Sequence, residues 1–111
     1  MSWLSRILSR LLPAPPTIGP DEDVLFVDVR TRPEFAAGHA RGALHIPLGQ
    51  VDDRAAELRP HAHRRILVYC LSGHRAARAV RALRARGLPN VENAGGIGGL
   101  RRAGVEIERG R

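Results

Sequence analysis

One thiol carries the nucleophilic chemistry this sequence has to offer. Cys70 is the only cysteine among 111 residues, and it opens the run Cys70-Leu71-Ser72-Gly73-His74-Arg75. Ahead of it, Arg65 to Tyr69 is short, apolar and bulky, the pattern of a buried strand. Behind it, Ala76, Ala77, Ala79, Val80, Ala82 and Leu83 recur at helical spacing from Arg75 to Arg86, with arginines opposite and Gly87 as the stop. A sulfur at such a strand-to-helix turn faces the unpaired N–H groups and positive dipole end of the helix. Arg75 adds a fixed cation. Both favour thiolate over thiol, and the thiolate is the nucleophile.

The remaining composition narrows the class. The length suits one domain with a single core. A hydrophobic content of 43% and a charged content of 26% describe an ordinary globular chain. The net charge is +7, yet all 18 basic residues are arginine and they are scattered. With only four aromatics there is no stacking platform for single strands, so nucleic acid is not the expected partner. The charge is better suited to drawing small anions. One cysteine forms no internal disulfide, so cysteine usage does not fix the redox compartment.

Three units follow along the chain. Residues 1–12 place Trp3, Leu4, Ile7, Leu8, Leu11 and Leu12 on one helical face and Arg6 and Arg10 on the other. The arginines interrupt any secretory apolar core, and the run is too short to span a bilayer. This amphipathic helix either packs on protein, the favoured reading, or lies on a membrane surface with its arginines at the headgroups. Residues 13–20 hold four prolines and form a stiff linker. Residues 21–111 are the compact domain. Within it Val24 to Asp28 is an apolar strand, and Thr31 caps a helix over Arg32 to Ala37 that Gly38 ends. Ala43 to Ile46 is a brief strand, Val51 to Leu58 an amphipathic helix, Val91 to Asn93 a strand and Val105 to Ile107 an edge strand. Apolar strands alternating with helices predict an α/β domain with a parallel sheet covered on both faces. Ligands gather at the carboxyl ends of such strands, where Asp28 and Cys70 both fall.

At this point the chain resembles the rhodanese family of sulfurtransferases. Asp28-Val29-Arg30-Thr31-Arg32-Pro33-Glu34-Phe35, Gly38-His39-Ala40-Arg41-Gly42-Ala43 and Ile46-Pro47-Leu48 carry the first part of the likeness. Val68-Tyr69-Cys70 through Arg75, and Asn90 through Gly96, carry the rest. The likeness covers roughly Asp23 to Ile107 and is greatest to the small phage-shock type of single-domain rhodanese. It implies a three-layer α/β domain with a small central parallel sheet flanked by helices.

By this resemblance, Cys70 attacks the outer sulfur of a sulfane donor such as thiosulfate. The resulting persulfide is discharged by cyanide or a cellular thiol, in two-step covalent catalysis. The N–H groups of Leu71, Ser72, Gly73 and His74 line a cradle for the anion or the persulfide sulfur, and Gly73 lets the backbone aim them inward. Arg75 either stabilises the thiolate, the loop or the donor, or pairs with Asp28 or Glu34. Asp28, Arg30 and Glu34 are expected to support the strand end and the active loop. No second cysteine resolves the persulfide, so its acceptor comes from outside: a small thiol, cyanide or a protein. No metal or cofactor is implied, and the expected compartment is the cytoplasm, with peripheral membrane contact if residues 1–12 bind lipid. Four residues separate Cys70 from Arg75. Tyrosine and dual-specificity phosphatases have five there and a wider cradle, which argues against phosphate chemistry.

Several positions depart from the family pattern or read as structural. Leu71 stands where thiosulfate-using members often carry a basic residue. His74 invites an acid–base reading, but a loop histidine is more often solvent-facing or an anion contact. His39 and His45 sit beside turn residues and are expected to bond backbone. His61 and His63 alone make a poor metal site. The glycines around Ile97 lack the Lys-Ser/Thr of a phosphate loop and predict a tight turn bringing backbone close to the active rim. A non-catalytic docking module is the competing reading; the intact Cys70 argues against it. A membrane-held sulfur relay combines the two.

Overall fold

Val24–Asp28 forms the first strand, β1, because a run of bulky apolar residues is stable only when both faces of a sheet are covered. The structure, a computed structural model, describes Trp3 and residues 15–111. The predicted amphipathic segment and residues 13 and 14 lie outside the described residues, apart from Trp3, which is helical and exposed. After β1 come α1 (Arg32–Ala37), β2 (His39–Ala40), β3 (Leu44–His45) and α2 (Val51–Arg54). Then follow β4 (Arg65–Cys70), α3 (His74–Ala85), β5 (Val91–Gly96), α4 (Ile97–Arg102) and β6 (Ile107–Glu108).

The main sheet has the order β3-β1-β4-β5 and every pair is parallel. Side chains alternate along β4, so successive residues enter different cores. Ile66, Val68 and Cys70 face α2 and α3 with Val51, Ala79 and Leu83. Leu67 and Tyr69 face the other side with Ala40, Ala94 and Leu100. A two-stranded antiparallel ribbon of β2 and β6 lies with α4 on that second side. The result is the three-layer α/β domain with a small central parallel sheet. No helix of the described residues is long and apolar enough to cross a membrane.

Local signals set several boundaries as expected. Thr31 and Glu34 form a reciprocal capping box at the start of α1, and Gly38 ends it. Elsewhere packing decides. The helix expected over Val51 to Leu58 is α-helical only to Arg54, then tightens into a 3-10 helix over Ala55–His61. Pro60 lies inside that stretch, and a proline ring there opposes a regular α-helical ladder. The expected edge strand moves to Ile107–Glu108 and pairs with His39–Ala40, outside the main sheet. Helix α4 was not expected, since Gly98 and Gly99 in its first turn disfavour a helix by propensity. Burial of Leu100 overrides that cost.

Candidate functional site

Cys70 ends β4 and has no exposed surface. The chain then reverses into α3 through Gly73, whose φ of 96° lies in the left-handed region. Only glycine adopts that conformation without strain. The turn aims the Gly73 N–H back at the sulfur, which accepts it at 2.9 Å. Gly73 also occupies the N-cap of α3, and no side chain caps that helix. The first N–H groups of α3 thus have no side-chain acceptor, and the positive end of a twelve-residue helix faces the loop.

Strand β5 holds the loop from its other side. The Asn93 side-chain amide donates to the Gly73 carbonyl at 3.0 Å, and its oxygen accepts the Gly95 N–H at 2.9 Å. Three residues beyond Asn93, Gly96 is the cross-strand partner of Cys70. A Cβ at Gly96 would stand 2.1 Å from the Leu71 carbonyl oxygen and 2.8 Å from its carbon. Backbone therefore packs on backbone here, and no side chain fits. Backbone does approach the active rim here, as the sequence predicts, but through the end of β5 at the start of helix α4 and not through a tight turn. Asn93 as the latch of the loop was not anticipated. The only local signal was a small amide with two glycines two and three residues on.

Arg75 pairs with Glu34 and not with Asp28. Its two terminal nitrogens donate to the two carboxylate oxygens at 2.7 and 3.0 Å. The Arg75 bonds, reinforced by the Thr31 N–H and hydroxyl, hold the Glu34 carboxyl at about 2, well below the usual range. The same pairing pushes Arg75 upward. Asp28 and Arg30 pair with each other rather than with Glu34 or the active loop. Arg30 Nη2 reaches Asp28 at 2.7 Å and the Gly38 carbonyl at 2.6 Å, with Asp28 wholly buried. This buried pair closes the carboxyl end of β1, and the Arg30 guanidinium lies 5.7 Å from the centre of the Tyr69 ring.

The remaining candidates divide between rim and scaffold. Leu71 is 61% exposed at the rim. Ser72 Oγ and His74 Nδ1 lie 3.0 Å apart, both in solvent. His39 Nδ1 donates to the Phe35 carbonyl at 2.8 Å, and His45 Nε2 to the Arg30 carbonyl at 2.7 Å. Both histidines stack on Phe35. His61 Nδ1 lies 3.2 Å from Arg64 Nη1. Among the described residues no group of three or more His, Cys, Asp or Glu could hold a metal ion.

Fold and site together define a small α/β domain with one buried sulfur at the carboxyl rim of a parallel sheet, under a loop amide and beside a helix start. Residues 18–101 match the rhodanese-like domain, and the chain belongs to that family, the rhodanese-like sulfurtransferases. Over 72 residues it is 36% identical to thiosulfate sulfurtransferase PspE of Escherichia coli (strain K12), covering 65% of this chain and 69% of that protein. Over 81 residues it is 36% identical to the putative sulfur carrier protein YrkF of Bacillus subtilis (strain 168), covering 73% of this chain but 42% of that one. A solved rhodanese with anions from E. coli superposes with a TM-score of 0.70 at 31% identity, over 78% of this chain and 99% of that one.

Proposed function

We propose that the protein moves sulfane sulfur from a donor such as thiosulfate to a thiol or cyanide through a persulfide on Cys70. The observation that carries this reading is the Gly73 N–H donated to Cys70 Sγ at 2.9 Å. An amide aimed at sulfur, beside the start of α3, stabilises negative charge on that atom and on a sulfur attached to it. In the first step the Cys70 thiolate attacks the outer sulfur of thiosulfate. The new S–S bond forms as the old one breaks, and sulfite leaves with the electron pair. In the second step an external thiolate attacks the outer sulfur of the persulfide, and the Cys70 thiolate is the leaving group. The loop N–H groups hold charge in both steps. Arg75, fixed by Glu34, keeps the helix start in register with the sulfur. The lone cysteine makes the acceptor external.

Intact-protein mass spectrometry after brief exposure to thiosulfate tests this directly. The parent chain gains one sulfur, about 32 mass units, cyanide removes it, and Cys70→Ser never acquires it. Failure to load from thiosulfate, mercaptopyruvate and a low-molecular-weight persulfide alike rejects the enzyme reading in favour of a docking module.

A further inference from the structure

We propose that Arg102 is a specificity-determining cation that receives the carboxylate or sulfonate of a small organic thiol or persulfide at the Cys70 site. The inference rests on the sulfurtransferase reading above and names the ligand class that the site accepts. Beside the active loop lies a cleft of about 290 Å³. Leu71 and Ser72, the two residues that follow Cys70, form one wall, while Gly96, Ala94 and Pro15 supply small or apolar surface. Arg102 lines the same space, and no carboxylate does.

This arginine lies against the glycines that precede it. A Cβ at Gly98 would lie 3.4 Å from Arg102 Nη1, and one at Gly99 would lie 3.8 Å from Nη2. The guanidinium thus folds back over the opening turn of its own helix, within van der Waals reach of both glycine positions. No ion pair or side-chain hydrogen bond engages it among the described residues. By contrast Arg75, closer in sequence to the sulfur, has both terminal nitrogens committed to Glu34. Leu71 brings apolar surface and no charge to the rim.

The cleft therefore joins the two loop residues that follow Cys70 to one cation that has no side-chain partner among the described residues. A ligand that satisfies both has a sulfur, a short hydrocarbon body and an anionic end. For an acceptor of this kind, the thiolate attacks the outer sulfur of the Cys70 persulfide (Cys–S–SH + RS⁻ → Cys–S⁻ + RS–SH). A new S–S bond forms between the thiol sulfur and the transferred sulfur, the Cys70 S–S bond breaks, and the proton stays on the transferred sulfur.

Three thiols of similar size separate charge from reactivity: 3-mercaptopropionate, 2-mercaptoethanol and cysteamine. The persulfide is loaded once, excess donor is removed, and discharge is followed by intact mass in the parent, Arg102→Gln and Arg102→Lys. In Arg102→Gln, discharge by 3-mercaptopropionate below saturation slows about tenfold, the scale of one charge-assisted hydrogen bond. 2-Mercaptoethanol is unaffected, cysteamine is no slower, and Arg102→Lys recovers part of the loss. Equal parent-to-variant ratios for all three thiols overturn the proposal. A second arm needs no persulfide: calorimetric titration of untreated protein with 3-(methylthio)propionate, which has the same anion and no reactive thiol. Binding to the parent that weakens about tenfold in Arg102→Gln supports the site even if no donor loads Cys70. Absent or equal binding overturns it even if loading succeeds.

Discussion

Glu34 holds both terminal nitrogens of Arg75, at 2.7 and 3.0 Å, and so fastens the first turn of α3 to the capping box of α1. The helix whose start faces Cys70 is thereby tied to the segment that follows β1, on the other side of the sulfur loop in sequence.

This pair gives the protein an acid-labile clasp. The Glu34 carboxyl sits at about 2 in the folded chain against an ordinary value of 4.5. Between those values the unfolded chain binds more protons. The stabilisation is therefore complete above about pH 4.5 and is lost as pH falls through about 2. Both side chains remain about a third exposed, and screening there holds the contribution to about 1 kcal/mol. Urea unfolding of the parent from pH 6 down to pH 2.5 should lose most of that amount beyond what Glu34→Gln loses. Parallel curves for the two proteins reject the clasp.

Gly96→Ala tests the contact of backbone on backbone. A methyl group would enter the space of the Leu71 carbonyl at 2.1 Å, so β5 or the sulfur loop must move. The cost is about 1–3 kcal/mol, the usual range for overpacking. Because the displaced carbonyl belongs to the residue after Cys70, the rate of persulfide formation should fall by at least about tenfold, since catalysis is steep in misplacement. A variant that loads sulfur at the parent rate shows that the loop tolerates the shift.

Asn93→Ala removes a latch while leaving strand β5 its backbone ladder. The Gly73 carbonyl and Gly95 N–H lose their side-chain partners, costing about 1–2 kcal/mol. Hydrogen exchange should quicken at residues 71–75 and not at β1. Uniform exchange across the sheet would instead mean that Asn93 serves general stability.

Two buried polar contacts near the rim should differ sharply in cost. Arg30→Ala strands the carboxylate of Asp28, which has no exposed surface, and should cost about 3–5 kcal/mol. Tyr69→Phe removes the hydroxyl that accepts the Ala40 N–H at 2.9 Å and should cost about 1–3 kcal/mol. Burial, with the Asp28 charge behind it, pushes the Tyr69 hydroxyl upward. The folded form retains its proton where the unfolded chain would release it, so this contribution is whole below about pH 10 and fades above it. Thermal or urea denaturation of the two variants at pH 7 ranks them, and the reverse order refutes the buried-pair account.

What the sequence made legible were features written within a few residues of one another. Thr31 and Gly38 mark the two ends of α1, and the apolar runs of β1 and β4 stand out because both are short and bulky. Cys70, Gly73 and Arg75 were readable because a strand-to-helix turn sets their order. The missing pieces join distant positions. Asn93 and Gly73 are 20 residues apart, and of the two acids the sequence offers Arg75 only the fold selects Glu34, 41 residues away. The two-residue strands β2 and β6 have too few residues for periodicity, and only the fold brings them together. Helix α4 owes its form to the burial of Leu100, against the local preference of its glycines. Arg102 looked like one of 18 scattered arginines until that helix folded it back towards Leu71 and Ser72.

The complete burial of Cys70 has a consequence for how copies of the chain meet. A disulfide needs two sulfurs about 2.05 Å apart, and a sulfur with no surface cannot approach its twin while the loop is closed. Oxidation of this thiol therefore cannot cross-link two closed molecules. Thiosulfate meets the same barrier, so sulfur loading also needs the Leu71–His74 turn to part, and a covalent dimer, which brings a second protein to that sulfur, needs the wider opening.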